Sequence, residues 1–279
     1  MSAAVPRYAV IGHPIAHSLS PRLHALFSAQ TGVALEYIAI DAAPGMFADT
    51  VHTFFARGGH GANITLPHKA AAFALADART ATAQRLGVAN VLTSLPDGRT
   101  EADSNDGAGM LADMRGRRGI DPRGGEVLLL GAGGAARAAA FALLDAGIRR
   151  ITIANRTVER AQALATALDD ATRVRVVGLD DLARCGPFDL IVNATSAGVQ
   201  HATLVLSATL AHARMAAYDL SYGPAARPFI EWAKGAGCRA AFDGLGMLVE
   251  TAAASFERWH GLRPDVDAAL AGISAGSRS

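Results

Sequence analysis

The sequence predicts an α/β protein with two domains, and three observations carry that prediction. The chain has 279 residues, more than one core usually needs, and 51% of them are hydrophobic. Short apolar runs alternate with helical stretches over residues 1–105. From Glu126 onward six short apolar runs recur at a regular spacing, which is typical of a doubly wound parallel sheet.

The first domain is predicted to be a mixed α/β sheet. Residues 8–11 predict a buried strand. Ser20 and Pro21 predict a helix start, because a hydroxyl caps free amides and proline loses nothing at the first helical position. The remaining predicted elements are strands at 35–40 and 61–65, helices at 44–57 and from Pro67, and a hairpin of 88–94 and 100–103.

The second domain begins with a predicted helix at 106–118 and a linker at 119–125. Its six strands are expected at 127–130, 151–154, 174–177, 190–194, 217–220 and 239–242. The last predicted helix, 247–260, is expected to return to the first domain. The domains would then be 1–105, completed by 247–272, and 106–246.

Composition excludes several classes of function. The formal net charge is +1, from 26 basic and 25 acidic residues scattered along the chain, which is unlike a nucleic-acid or membrane surface. No apolar run approaches the roughly 20 residues that cross a bilayer. Cys185 and Cys238 have no metal or redox spacing, so we expect reduced thiols, no metal and a cytoplasmic protein. We expect a monomer or a homodimer.

A glycine-rich turn opens the predicted parallel sheet. After the apolar run 127–130, the residues Gly131, Gly133 and Ala136 follow the G-x-G-x-x-G/A spacing into an alanine-rich helix. Gly133 would let the backbone approach a pyrophosphate, and the free amides of the helix start would attract it. Small residues also serve packing, so a turn without a ligand is the alternative. The strand before it and the helix after it favour a Rossmann-like dinucleotide-binding domain.

The end of the next strand indicates which dinucleotide binds. Enzymes for NAD place a carboxylate there, which accepts from the ribose 2′-hydroxyl. This chain has Asn155-Arg156-Thr157, with Arg160 one turn later. An arginine pairs with a 2′-phosphate, so the sequence predicts NADP. The alternative is that both arginines are solvated surface charges.

Lys69 is the candidate for the chemistry. It follows Pro67 at a predicted helix start, and a neutral amine there could take a proton from an alcohol. From the residues alone, either Asp103 or Asp106 could orient it, and an exposed lysine without a function is the alternative. Ser18 and Ser20 could hold a carboxylate at a helix start, although Ser20 also has the position of a cap.

These residues resemble those of the shikimate dehydrogenase family over essentially the whole chain. The motifs that carry the resemblance are Ser18-Leu19-Ser20-Pro21, Asn63-Ile64-Thr65-Leu66-Pro67-His68-Lys69, Asn90, Asp106-Gly107, Gly131-Ala132-Gly133-Gly134-Ala135, Asn155-Arg156-Thr157 with Arg160, Asn193-Ala194-Thr195-Ser196, Tyr218-Asp219-Leu220-Ser221-Tyr222 and Asp243-Gly244-Leu245-Gly246-Met247-Leu248.

The resemblance implies a function and a role for each position. The reaction would be the reversible, NADP-dependent reduction of 3-dehydroshikimate to shikimate, on the route to chorismate and the aromatic amino acids. Lys69 and Asp106 would be the catalytic pair, which selects Asp106 over Asp103. The implied substrate contacts are Ser18, Ser20, Asn63, Thr65, Asn90, Asp106, Tyr222 and Thr251. The implied NADP contacts are Gly131, Ala132, Gly133, Gly134, Ala135, Asn155, Arg156, Thr157, Arg160, Thr195, Leu220 and Gly244.

Several positions depart from the family pattern. Thr251 stands where the family usually has a glutamine that bonds a ring hydroxyl, and Ser104-Asn105 replaces an expected Asn-Thr. The loss of one neutral hydrogen bond costs roughly 0.5–1.5 kcal/mol. Two alternatives therefore stay open: a diverged enzyme for quinate or another ring hydroxyacid, and a regulator that binds the cofactor without turnover.

Overall fold

The chain divides into two compact units, each with its own sheet. A computed structural model describes residues 5–198 and 206–275. Unit 1 contains the chain up to Asn105 and again from Val249, and unit 2 is Asp106–Leu248. Each unit has a six-stranded sheet.

Unit 1 has a mixed sheet in the order β2-β1-β3-β5-β6-β4. Its strands are β1 (Arg7–Gly12), β2 (Glu36–Asp41), β3 (Gly59–Ile64), β4 (Ala78–Arg79), β5 (Val91–Ser94) and β6 (Thr100–Asp103). Its first four helices are α1 (Ser20–Thr31), α2 (Phe47–Ala56), α3 (Lys69–Leu75) and α4 (Ala81–Leu86). Strands β1, β2 and β3 are parallel, and β5 runs antiparallel to both β3 and β6.

The core of unit 1 forms where α2 covers this sheet. Phe47, Val51 and Phe54 recur at helical spacing on one face of α2. They pack with Ile11 and Ile64, which alternate inward along β1 and β3. The buried face holds the strand ends in place.

Unit 2 has an entirely parallel sheet in the order β12-β11-β10-β7-β8-β9. Its strands are β7 (Glu126–Leu130), β8 (Arg150–Ala154), β9 (Val174–Val177), β10 (Leu190–Asn193), β11 (Ala216–Asp219) and β12 (Ala240–Phe242). Its helices are α5 (Asp106–Gly116), α6 (Gly134–Asp145), α7 (Val158–Leu168) and α8 (Arg227–Gly235). This is the strand order of a doubly wound dinucleotide-binding sheet, so the predicted fold class is confirmed.

Two helices end the described part of the chain, where the sequence predicted one. Helix α9 (Leu245–His260) contains the second passage between the units, and α10 (Val266–Ala275) follows it in unit 1. Helix α10 packs on α1, where Arg22 Nη2 donates to the Gly272 carbonyl at 2.8 Å. The prediction that 247–260 is the last helix is therefore wrong. The sequence does contain a residue that caps this helix: the Asp265 carboxylate accepts from the Ala268 amide at the start of α10.

Across the described part of the chain, no helix combines the length and the apolar character that crossing a membrane requires. The same residues contain no cluster of His, Cys, Asp and Glu side chains arranged to hold a metal ion.

Candidate functional site

The two glycines of the turn in unit 2 have different surroundings: Gly131 is packed against the backbone that follows a neighbouring strand, and Gly133 faces open space. Gly131 follows β7 with φ +108°, and a β-carbon on it would lie 2.8 Å from the Ala194 carbonyl oxygen. Gly131 is therefore required by the fold itself. A β-carbon on Gly133 would contact none of the described residues, and no side chain caps the start of α6 there. The free amides and open space at Gly133 fit a pyrophosphate.

The end of β8 carries the residues that predicted NADP. The Asn155 side chain donates to the Thr157 carbonyl at 2.8 Å and closes a turn ahead of α7. Arg156, Thr157 and Arg160 are exposed, and within the described residues no side-chain bond occupies Arg156. An exposed guanidinium at this strand end fits a 2′-phosphate. The first acidic residue of α7, Glu159, lies beyond the strand end.

The remaining predicted cofactor contacts follow β10, β11 and β12. The Asn193 side chain accepts from the Thr195 amide and hydroxyl and donates to Asp219 at 2.7 Å. Burial raises the pKa of Asp219 to about 7, although bonds from Ser221 and Asn193 oppose that shift. A β-carbon on Gly244 would lie 2.5 Å from the Leu220 carbonyl oxygen.

All the predicted cofactor contacts therefore lie at one edge of the sheet in unit 2. Because its strands are parallel, their carboxyl ends meet at that edge, which is where such sheets bind ligands. Tyr222, predicted to contact substrate, also follows β11.

The predicted substrate contacts of unit 1 gather in the same way. Ser18 and Ser20 follow β1, and Thr65 follows β3, which is parallel to β1. Asn90 comes directly before β5, which is antiparallel to β3, so it lies at the same edge. The Asn90 carbonyl accepts from the Ile64 amide at 2.8 Å.

Lys69 is held at this edge by its backbone. It is the first residue of α3, and its carbonyl accepts from the Ala89 amide at 2.9 Å, next to Asn90. The preceding residue, His68, is buried, stacks on Phe47 and bonds the Ala42 carbonyl through Nε2 at 2.7 Å. His68 is therefore an anchor for the start of α3, where the Lys69 side chain is half-buried.

The Asp103 carboxylate forms hydrogen bonds with two other side chains of unit 1. Its carboxylate accepts from the Thr80 hydroxyl at 2.6 Å and from Arg258 Nη1 at 3.0 Å. These bonds hold Asp103 on the hairpin of β5 and β6. Asp106 is buried at the first turn of α5, in unit 2. The Asp103 carboxylate is thus already bonded to Thr80 and Arg258, and the selection of Asp106 as the partner of Lys69 stays a prediction.

Ser20 does not cap α1, contrary to the prediction. The helix begins at Ser20 itself, and the Ser20 amide bonds the Ser18 hydroxyl at 3.3 Å. The Ser20 hydroxyl instead bonds the hydroxyl of Tyr37, whose pKa is raised well above its usual value by burial. Pro21, at the second helical position, has no amide proton, and the Ser18 hydroxyl satisfies one of the remaining amides at the start of α1.

Three residues that the sequence analysis did not select join the predicted contacts to one another. Tyr37 donates to Asn63 Oδ1 at 2.7 Å, and Asn63 Nδ2 donates to the Ser255 hydroxyl at 2.7 Å. Asn105 bonds Asn90. No local pattern could have found these pairs, because Asn63 and Ser255 are 192 residues apart. The departure at Asn105 was the one available signal.

Thr251 lies on α9 in unit 1 and is 8% exposed. Its carbonyl accepts from the Ser255 hydroxyl at 3.0 Å and from Asn105 Nδ2 at 3.1 Å. The position that replaces the family glutamine is therefore bonded, through its backbone, to the second position that departs from the family.

Fold and site together define a two-unit protein with a dinucleotide-binding Rossmann sheet. Family models match both units: the shikimate dehydrogenase substrate binding domain at residues 10–92, shikimate / quinate 5-dehydrogenase at 117–218, and the shikimate 5′-dehydrogenase C-terminal domain at 244–271. The chain belongs to the shikimate dehydrogenase family, which confirms the resemblance read from its motifs.

Individual relatives match over nearly the whole chain. A shikimate dehydrogenase (NADP(+)) of Xanthomonas campestris pv. campestris strain B100 is 52% identical, over 94% of this chain and 93% of the relative. The enzyme of the same name from Xylella fastidiosa strain M12 is 51% identical, over 94% of each. A crystal structure of shikimate 5-dehydrogenase from Thermus thermophilus, in complex with NADP(H) and shikimate, has a TM-score of 0.83 at 36% identity and covers 95% of this chain and 97% of that one.

Proposed function

We propose that this chain is an NADP-dependent shikimate dehydrogenase that reversibly reduces 3-dehydroshikimate to shikimate in aromatic amino acid biosynthesis. The observation that carries the proposal is the gathering of Ser18, Ser20, Thr65 and Asn90 with Lys69 at one sheet edge, in a chain of this family. Relatives named for this activity and cofactor support it.

The residues of unit 2 divide the binding of NADP. The amides of Gly133, Gly134 and Ala135 at the start of α6 would hold the pyrophosphate, and Arg156 with Arg160 would pair with the 2′-phosphate. Thr195, Leu220 and Gly244 follow the neighbouring strands and would border the nicotinamide. When bound, the cofactor exchanges a hydride with the ring carbon that carries the reacting oxygen.

The residues of unit 1 would bind the ring and move the proton. Ser18 and Ser20 would bond the substrate carboxylate, and Asn63, Thr65, Asn90 and Thr251 would bond ring hydroxyls, as would Tyr222 of unit 2. In the oxidation of shikimate, the Lys69 amine accepts the proton of the reacting hydroxyl and returns it in the reverse reaction. Asp106 would orient that amine and bond the adjacent hydroxyl. We expect a monomer or homodimer in the cytoplasm.

A second candidate substrate is quinate or another ring hydroxyacid. Thr251 favours it, because its short side chain reaches less far than the family glutamine. A water could fill that gap for shikimate, or a substrate with a different hydroxyl pattern could fill it directly.

The experiment that tests the proposal compares the chain's two lysines, Lys69 and Lys234. Lys69→Ala should reduce kcat/KM for shikimate with NADP by at least about 100-fold, the usual contribution of a positioned proton-transfer group. Lys234→Ala is the matched control, because Lys234 is exposed on α8 in unit 2 and should leave activity unchanged. Equal loss in both variants, or none in Lys69→Ala, would contradict the role of Lys69.

A further inference from the structure

A single buried hydroxyl on α9 joins the predicted substrate contacts of unit 1. The Ser255 side chain is fully buried, accepts from Asn63 Nδ2 at 2.7 Å and from Asn105 Nδ2 at 3.1 Å, and donates to the Thr251 carbonyl at 3.0 Å. A serine hydroxyl has one proton and two lone pairs, so these three bonds use its full capacity. Because every hydrogen-bonding position of the Ser255 hydroxyl is occupied, its surroundings are arranged around it.

One branch from the Ser255 hydroxyl leads to the start of α1. Asn63 Oδ1 accepts from the Tyr37 hydroxyl at 2.7 Å, and that hydroxyl also bonds the Ser20 side chain. The Tyr37 ring is stacked on His24, with ring centroids 3.9 Å apart and planes 10° apart. Burial lowers the pKa of His24 to about 3, so it stays neutral at physiological pH. The stacking on His24 therefore holds the Tyr37 ring, and with it the Tyr37 hydroxyl, in one position.

The other branch leads to Asn90. Asn90 Nδ2 donates to Asn105 Oδ1 at 2.7 Å, and the Asn105 amide donates to Asn90 Oδ1 at 2.9 Å. The two Nδ2 protons of Asn105 go to Ser255 and to the Thr251 carbonyl. Asn105 therefore uses every hydrogen-bonding group of its side chain to tie Asn90 to α9.

We propose that Ser255, Asn105 and Tyr37 are positioning residues that hold Ser20, Asn63, Asn90 and Thr251 as one hydrogen-bonded group, and so set how tightly this chain holds its ring substrate. The inference rests on the proposed function. Buried networks of this kind strengthen their members and specify one geometry. A small displacement of binding groups can cost far more than the bond that is lost.

The test removes the hydroxyl of Ser255 and compares a matched variant. Ser274 on α10 makes the same bond to the carbonyl four residues earlier, Leu270, without the network, so Ser274→Ala is the control for the loss of that local bond. Ser255→Ala should raise KM for shikimate and lower kcat/KM by at least about tenfold, while KM for NADP stays the same. A role in stability alone would lower the unfolding midpoint and leave KM for shikimate unchanged.

Tyr37→Phe decides the case if Ser255→Ala does not fold, because it deletes one oxygen and leaves the ring on His24. It should lower kcat/KM for shikimate by about threefold to tenfold with KM for NADP unchanged. If every variant of the two that folds has values within about twofold of Ser274→Ala, the inference is overturned and the proposed function stands. A wild-type chain that does not oxidise shikimate would overturn the proposed function and this inference with it.

Discussion

The two sheet edges that carry the candidate site are built by opposite means. In unit 2 the cofactor side consists mostly of backbone: the turn at Gly131, the free amides of α6 and the close approach of Gly244 to Leu220. In unit 1 the substrate side consists of side chains bonded to side chains, from Ser20 through Asn63 to Asn105.

This difference matters because the two constructions tolerate change differently. A binding surface made of backbone keeps its shape as long as the strands and glycines are conserved in sequence changes. Such a surface suits a cofactor that is always the same molecule. A side-chain network can be altered at single positions such as Thr251 or Asn105, and it suits a surface that must select among similar rings. Substitutions in unit 2 should therefore change binding of the cofactor and leave binding of the substrate as it is.

The largest effect is expected from Arg156, one of the two charged side chains predicted to contact the cofactor in unit 2. Arg156→Ala should raise KM for NADP by about 10- to 100-fold, because bonds to a charged group contribute about 1.5–3 kcal/mol. KM for NAD and for shikimate should not change. Arg175→Ala, an exposed arginine on β9, is the control. A parallel rise in KM for NAD would show that Arg156 does not read the 2′-phosphate.

Substitutions at the glycine turn test whether its two glycines serve NADP binding or packing. Gly133→Ala should weaken NADP binding by about tenfold with no change in the unfolding midpoint, because the added methyl meets only the space left for the pyrophosphate. Gly131→Ala should lower the unfolding midpoint, since strain at a positive φ costs about 1–3 kcal/mol. Calorimetric titration and thermal unfolding check the pair. Normal NADP binding by Gly133→Ala would favour the packing-only explanation of the turn.

The smallest effects concern pH, where the units should behave in opposite ways. The pKa of His24 in unit 1 is lowered from 6.5 to about 3 by burial, with the charge of His260 adding to it. As pH falls from about 6.5, the unfolded chain gains a proton that the folded His24 does not take up, so stability is lost. The pKa of Asp219 in unit 2 is raised from 3.8 to about 7 by burial, so its contribution is full below about pH 4 and is lost as pH rises through 7.

Each group changes stability by at most about 1.4 kcal/mol per pH unit. The measurement is denaturant unfolding against pH in variants that keep one tryptophan, since Trp259 reports on unit 1 and Trp232 on unit 2. His24→Phe should reduce the pH dependence of the free energy of unfolding below about pH 6.5, as followed by Trp259. Asp219→Asn should reduce that dependence around pH 4 to 7, as followed by Trp232. Profiles of equal slope before and after substitution would contradict these assignments.

The same comparison explains how much the sequence could predict. Strand β9 was placed at its observed bounds, and the glycine turn and the end of β8 were found, because each depends on neighbours within a few residues. The network of unit 1 escaped prediction, since it pairs Asn105 with Ser255 across 150 positions. Helix α10 was missed for a different reason: its cap at Asp265 is local, but its apolar pattern is short, with Val266, Ala269 and Ile273 as its buried residues. The roles of the individual site residues stay predictions.

The proposed function is tested by the initial rate of the purified wild-type chain on shikimate and on quinate, each with NADP and with NAD. We expect the highest kcat/KM for shikimate with NADP and a clear preference for NADP over NAD. Equal rates with the two cofactors would contradict the reading of Arg156, a faster reaction with quinate would favour the second candidate, and the absence of any turnover would contradict the proposed enzyme.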